Sequence, residues 1–283
     1  MMTGASNHAY TEADDSRDAC SFTVVTPVLN GERFLEKTIA SVRQQSFENF
    51  EYLIVDGGST DGTLAIAHAA AERDSRIRII ERPGLGQYAS ILEGFRAARG
   101  MWLSWLNADD LYTGWALKTV SEQADDVDWV IGFPACWDEA DSLRFLRPEG
   151  WRPQKLIRDG WFHSGLLGFI QQESIFFKRS LFEKLSDAER KKFSDAKLAG
   201  DYILWKLFAA HAKLETIPTV LGGFRRHGDN RSITLQQEYL DEIKRDGTIE
   251  LPTPVANLAR AIYLRVSSTR AAQLAHREDI KKR

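Results

Sequence analysis

Trp102-Leu103-Ser104-Trp105-Leu106-Asn107-Ala108-Asp109-Asp110 carries an apolar strand straight into two adjacent carboxylates. Neighbouring negative charges repel, and both stay ionised most easily when a cation lies between them and a ligand. A divalent metal bridging Asp109 and Asp110 to a diphosphate is the chemistry this suggests. A polar loop with a helix cap is the plainer alternative, since Asp favours helix starts. The position after a wholly apolar strand favours the ligand reading, because open α/β sheets bind at the carboxyl ends of their strands.

Working outward, the preceding chain alternates strand and helix signals. Phe22 to Val28 is a β-rich run, and Glu32 to Gln45 has helical spacing through Phe34, Leu35, Ile39 and Val42. Tyr52 to Val55 is the next strand, and Asp61 offers an N-cap for a helix through Ala71. Ile77 to Ile80, the helix Tyr88 to Ala98 and Trp102 to Leu106 complete a β-α-β-α-β-α-β rhythm. That rhythm predicts a doubly wound parallel sheet with right-handed crossovers. Asn30, Asp56, Asp109 and Asp110 then share the carboxyl edge.

Beyond Asp110 the pattern is mixed. Val127 to Cys136, Leu143 to Leu146 and Ser174 to Lys178 read as strands, and Asp201 to His211 as a helix. Leu214 to Phe224, broken by Pro218 and Gly222-Gly223, reads as a strand leading into a loop. From about Leu235 the pattern is helical, interrupted by Pro252 and Pro254.

The chain has 283 residues and 43% hydrophobic content, enough to fill a core. A net charge of -3 gives no sign of nucleic-acid binding. Two cysteines, Cys20 and Cys136, make neither a disulfide framework nor a zinc motif, and suit a reducing cytoplasm. No run approaches the roughly 20 apolar residues that span a bilayer. Residues 1–20 read as a polar, flexible leader without a signal peptide's apolar stretch. The basic C-terminal stretch reads as a helix with a solvated face, with contact to anionic lipid as the alternative. The cluster Trp161, Phe162, Leu166, Leu167, Phe169 and Ile170 suits core packing, or an acceptor- or membrane-facing loop.

Individual motifs admit two readings each. Asp56 before Gly57-Gly58 could accept a hydrogen bond from a nucleobase or ribose, with the glycines, Gly58 included, letting the backbone approach; the same residues make an ordinary tight turn. Asp201 could be a general base, or a carboxylate favoured by a helix N-terminus. Arg225-Arg226-His227-Gly228-Asp229-Asn230-Arg231-Ser232 could fold over a diphosphate, or be a solvated turn. Gly84-Leu85-Gly86-Gln87-Tyr88-Ala89 matches a dinucleotide fingerprint, but two strand-helix units precede it, where that fingerprint occupies the first.

Taken in order, Thr26-Pro27-Val28-Leu29-Asn30, Tyr52 through Thr63, Trp105 through Asp110, Gln171 through Phe177, Gly200 through Trp205 and Phe224 through His227 resemble the family-2 glycosyltransferases of the GT-A fold. The resemblance is to a bacterial branch tied to surface-polysaccharide synthesis. It implies an α/β, GT-A, doubly wound, mostly parallel Rossmann-like sheet with a mixed acceptor half and C-terminal helices. The domain would span 21–234, with a nucleotide half over 21–112, an acceptor half over 113–234, and a helical extension over 235–283. It implies inverting transfer from a nucleotide-sugar donor, a UDP-sugar by preference, to a saccharide or lipid-linked acceptor. Thr26, Pro27, Asn30 and Glu32 would line the nucleotide pocket, Asp56 would hold the base, and Asn107 would open the metal motif, its amide free either to contribute an oxygen or to orient the ribose on the nucleotide side. Asp109, with Asp110, would hold Mg2+ or Mn2+. Asp201 would be the base, Glu173 would lie on the acceptor side, and Arg226 and His227 would meet the diphosphate. Asn107 stands where an aspartate is commoner, which lowers the site's charge by one. A sugar-nucleotidyltransferase and an inactive nucleotide-binding protein are the alternatives. A cytoplasmic protein, peripheral at the membrane or free of it, and a homo-oligomer are compatible with this reading.

Overall fold

The computed structural model describes residues 20–281 other than residue 125. The leader assigned to 1–20 therefore lies, save Cys20, outside the described residues. In chain order the strands are β1 (Phe22–Val28), β2 (Phe50–Asp56), β3 (Ile77–Glu81), β4 (Trp102–Trp105), β5 (Leu111–Tyr112), β6 (Trp129–Ile131), β7 (Ala135–Trp137), β8 (Leu143–Leu146), β9 (Ile175–Lys178), β10 (Leu214–Thr216) and β11 (Gly222–Arg225). The helices are α1 (Leu35–Arg43), α2 (Thr63–Arg73), α3 (Gln87–Ala97), α4 (Ala116–Gln123), α5 (Gln154–Arg158), α6 (Arg179–Glu183), α7 (Asp187–Ser194), α8 (Gly200–Phe208), α9 (Arg231–Thr234), α10 (Gln236–Arg245) and α11 (Thr253–Lys281).

The expected parallel sheet is present. A seven-stranded sheet runs β10-β6-β9-β4-β1-β2-β3. β1 to β4 are mutually parallel, and β9 runs antiparallel between β4 and β6. Its inner strands are buried throughout, as a sheet covered on both faces requires. Alternate residues feed two cores: Val25, Leu53, Val55, Leu103 and Trp105 on one face, and Phe22, Val24, Tyr52, Ile54 and Trp102 on the other. The register pairs Val28 with Asp56, so the loops after β1 and β2 leave the sheet side by side.

The second half departs from the simple reading. Val127 to Cys136 and Leu214 to Phe224 are not single strands. Each splits between the large sheet (β6, β10) and a four-stranded sheet ordered β5-β11-β7-β8. Pro134 and Pro218 lie at the two crossings, and proline has no N–H to continue a ladder. Gly132 sits at the first corner, where a Cβ would stand 2.8 Å from the Thr219 carbonyl oxygen. Asp61 is not the N-cap of α2. Gly62 is, while the Asp61 carboxylate accepts from the Thr63 N–H at 3.0 Å and hydroxyl at 2.5 Å. Pro254 does not interrupt α11 but lies in its first turn, where a missing N–H costs nothing.

One contact fixes the geometry of the cleft. Trp105 of β4 stacks on Trp205 of α8, with ring centroids 5.3 Å apart and planes at 18°. Trp129 and Phe208 extend the cluster. Trp105 lies four residues before Asp109, and Trp205 four residues after Asp201. Such a pair is worth about 0.5–1.5 kcal/mol beyond its burial. It ties the late helix to the strand that delivers the acidic pair.

Candidate active site

The loops after β1 and β2 are laced together. Asn30 takes a positive φ of 53°, and its Oδ1 accepts from the Thr60 N–H at 2.8 Å. Glu32 Oε2 accepts from the Gly62 N–H at 2.7 Å. Asp56 Oδ1 accepts from the backbone N–H groups of Gly58 and Ser59, at 2.8 and 2.9 Å. Its Oδ2 is buried with no partner among the described residues. An orphaned carboxylate oxygen in a buried position carries a large desolvation cost unless a donor arrives. Gly58 has φ +102°, a conformation that a side chain would strain.

Thr26 is a correction. It is wholly buried, and its hydroxyl lies 2.8 Å from that of Tyr52. It ties β1 to β2 and offers no group to the cleft. Pro27, also buried, can contribute backbone alone.

The acidic pair is asymmetric. Asp110 is fully buried, its Oδ1 accepting from the Arg225 N–H at 2.9 Å and its Oδ2 from the Asn107 amide at 3.0 Å. Burial, with the charges of Asp109 and Glu173 adding, holds its carboxyl well above the usual range. Asp110 is a brace for β11, and the expectation that it shares a metal does not fit this geometry. Asp109 is partly exposed. Its Oδ2 lies 2.9 Å from His227 Nε2 and 3.3 Å from Asn230 Nδ2. Because the Asp229 N–H donates to His227 Nδ1 at 3.2 Å, Nε2 is the protonated nitrogen and donates to Asp109. The His227 ring also packs on Phe34, at 4.6 Å.

No group of three or more His, Cys, Asp or Glu placed to hold a metal occurs among the described residues. The Asp109 carboxylate alone still fits a hard divalent cation, because Mg2+ is commonly held by one or two carboxylates with substrate phosphates and water completing the shell. His227 would orient that carboxylate.

Asn107 reaches further than expected. Its Oδ1 accepts from Gln87 Nε2 at 2.9 Å, Gln87 Oε1 accepts from Arg231 Nη1 at 3.2 Å, and Arg231 Nη2 donates to the Lys197 carbonyl at 3.2 Å. This relay joins the strand end to the loop before α8.

Asp201 lies in the first turn of α8, where the helix N-terminus favours its charged form. Burial outweighs that, and the charge of Glu242 adds, so its carboxyl is pushed up to about 7. It borders a crevice walled by Ile157, Phe162, Phe169, Ile170, Trp205 and Tyr239. The aromatic cluster thus serves the core and also walls this crevice: Leu166 and Leu167 are buried, while Phe169 is 40% exposed. Glu173 is buried with Oε2 unpartnered, and burial, with the charges of Asp201 and Asp109 adding, pushes it up to about 7. Arg226 is exposed, its backbone N–H donating to the Trp137 carbonyl at 2.8 Å.

Sequence reasoning missed Gln87, Asn230 and Glu242. Gln87 stood inside the discarded glycine segment. The Glu242 carboxylate accepts from the N–H groups of Lys197 and Leu198 at 2.8 Å and of Ala199 at 3.2 Å, and nothing local marks it.

Residues 23–185 match the sequence profile of Glycosyl transferase family 2. The chain belongs to this family. Among curated relatives, glycosyltransferase GlyG of Streptococcus pneumoniae is 30% identical over 186 residues, covering 61% of each chain. The chain spans 61%, 37% and 22% of the length of the first curated relatives it matches. Two solved structures share the fold. TarS 1-349 of S. aureus, in complex with UDP-GlcNAc, has a TM-score of 0.55 at 16% identity, over 86% of this chain and 71% of that one. The mannosyltransferase PcManGT of Pyrobaculum calidifontis, in complex with GDP-Man and Mn2+, has a TM-score of 0.56 at 20% identity, over 90% and 74%. The GT-A architecture expected of a family-2 chain is the one observed.

Proposed function

We propose that this family-2 chain is an inverting glycosyltransferase that moves a sugar from a nucleotide-sugar, a UDP-sugar by preference, to a hydroxyl of a saccharide or lipid-linked acceptor in surface-polysaccharide synthesis. The observation that carries the proposal is the Asn107–Gln87–Arg231 relay to the Lys197 carbonyl, which with the Trp105–Trp205 stack ties the loop of Asp109 to the start of α8 and Asp201. The nucleotide-sugar complexes of the two structural neighbours and the motif resemblance support the donor class.

The unpartnered Asp56 Oδ2 is the acceptor for a nucleobase N–H. Asp109 would hold a divalent cation, Mg2+ or Mn2+, which when bound supplies charge stabilisation for the leaving diphosphate. His227 donates to Asp109 and keeps its free oxygen turned to the cleft. Arg226, exposed on the same loop, adds positive charge for the diphosphate.

Asp201 takes the proton of the acceptor hydroxyl as that oxygen bonds to the anomeric carbon. The bond from that carbon to the diphosphate oxygen breaks, its electron pair leaves with the nucleoside diphosphate, and the proton remains on Asp201. Attack opposite the leaving group inverts the centre, and no protein nucleophile is needed. A base with pKa near 7 suits this task, since at neutral pH a large share is ionised while the carboxylate stays basic enough to take a proton.

The test is a panel of UDP-, GDP- and dTDP-sugars with Mn2+ or EDTA, read by thermal shift and then by transfer. A UDP-sugar should raise the melting temperature, and Mn2+ should enlarge the shift. A panel without any shift would refute the reading.

A further inference from the structure

α11 buries one side and leaves a second apolar stripe bare. Ala256, Tyr263, Ser267 and Ala271 face the protein. The Tyr263 ring packs on Trp151 and Phe162, and Gly150 lies so close that a Cβ there would stand 2.4 Å from the Ala271 nitrogen. Val255, Leu258, Ile262 and Val266 are 49%, 62%, 56% and 42% exposed. At 100° per residue these four fall within an arc of roughly 80°, centred roughly 140° round the helix from the buried face. The stripe is a continuous strip on a docked helix, which sets it apart from scattered surface apolar residues.

Charge identifies what covers it. Between Glu250 and Glu278 the sequence has no Asp or Glu and four arginines, Arg260, Arg265, Arg270 and Arg277, in a chain whose net charge is -3. On the helical wheel Arg265 borders the stripe on one side and Arg270 on the other. Neither has an ion-pair partner among the described residues. A second copy would bring arginine against arginine with no acid on this stretch to offset it. An apolar strip edged by arginines matches the boundary between acyl chains and anionic headgroups, where the apolar side chains insert and the guanidinium groups reach the phosphates. No described helix is long and apolar enough to cross a membrane, so the contact lies in the plane of the surface.

We infer that the bare face of α11, Val255, Leu258, Ile262 and Val266 edged by Arg265 and Arg270, docks the protein on an anionic phospholipid surface. Neither the transfer chemistry nor the identity of the donor enters the inference.

The test is sedimentation of the full chain with vesicles of mixed phosphatidylcholine and phosphatidylglycerol, against pure phosphatidylcholine. Binding should require phosphatidylglycerol. It should weaken at about 1 M salt, where the screening length falls to about 3 Å. Ile262→Ser should lower vesicle affinity about tenfold by removing a buried aliphatic side chain, and Arg265→Gln about fivefold. Both positions are solvent-facing, and melting curves unchanged from the parent confirm folding. Failure to bind any vesicle, equal binding to both compositions, or binding indifferent to both substitutions would overturn the inference. So would a concentration-dependent dimer that Ile262→Ser abolishes, since the stripe would then be an interface between copies.

Discussion

Asp201 gives the sharpest prediction. Its carboxyl is pushed up to about 7 by burial and by the charge of Glu242. A base with that pKa is roughly 10% ionised at pH 6 and roughly 90% at pH 8, so transfer limited by proton removal should rise about ninefold across that window. The rise should follow kcat at saturating donor and acceptor. Asp201→Asn should flatten the profile and cost about 10²–10⁴ in rate. Glu242→Gln removes the neighbouring charge, so the acid limb should move to lower pH while the amplitude persists. The assay is initial-rate release of the nucleoside diphosphate at fixed metal over pH 5.5 to 8.5, a span of roughly 1.5 units either side of the midpoint. A flat profile in the parent, or an acid limb unchanged in Asp201→Asn, would refute the assignment of the base.

Other consequences can be checked separately. Glu173 sits at about 7 when folded, against an ordinary value of 4.5. The folded state holds a proton that the unfolded chain releases between those values, so stability falls as pH rises through that window. Above pH 7 the accumulated cost approaches about 3 kcal/mol. Glu173→Gln should therefore be more stable than the parent at pH 8 and show little gain at pH 4.5, by urea melts at each pH; equal stability at pH 8 would count against a buried ionised Glu173. Asp56→Asn puts a donor where Oδ2 faces the nucleobase N–H, and should weaken nucleotide binding about tenfold to a hundredfold, read by calorimetry. Asp110→Ala leaves the Arg225 N–H buried without its acceptor, and should destabilise the protein by about 1–3 kcal/mol in denaturant melts.

The nucleotide half was legible because its signals are local. Each apolar strand ends in a residue that leaves the sheet at its carboxyl edge, and the pattern from Phe22 to Leu106 maps onto four parallel strands. The positions of Asp109 after β4 and of Asp201 in the first turn of α8 were legible for the same reason, since each stands at an element's end. Asp110 was not, because sequence adjacency cannot show that one carboxylate faces the cleft while its neighbour turns inward to the Arg225 N–H. Thr26 was misread likewise: its place in the motif is visible, while its hydroxyl bond to Tyr52 depends on strand register. The clamp of Glu242 on the loop before α8 spans more than forty residues of sequence and has no local signature. The two sheets of the second half were merged in the sequence reading because Pro134 passed unmarked inside one apolar run and Pro218 read as a break within a strand, and a change of sheet leaves no other local mark.

The central claim is that Asp109 serves the donor's metal and Asp201 serves the acceptor's proton within one cleft. Calorimetric titration of UDP with and without Mn2+ into the parent, Asp109→Ala and Asp201→Asn tests it most directly. Mn2+ should enhance UDP binding in the parent and in Asp201→Asn, and that enhancement should be lost in Asp109→Ala. Enhancement that survives in Asp109→Ala, or that disappears in Asp201→Asn, would contradict the claim.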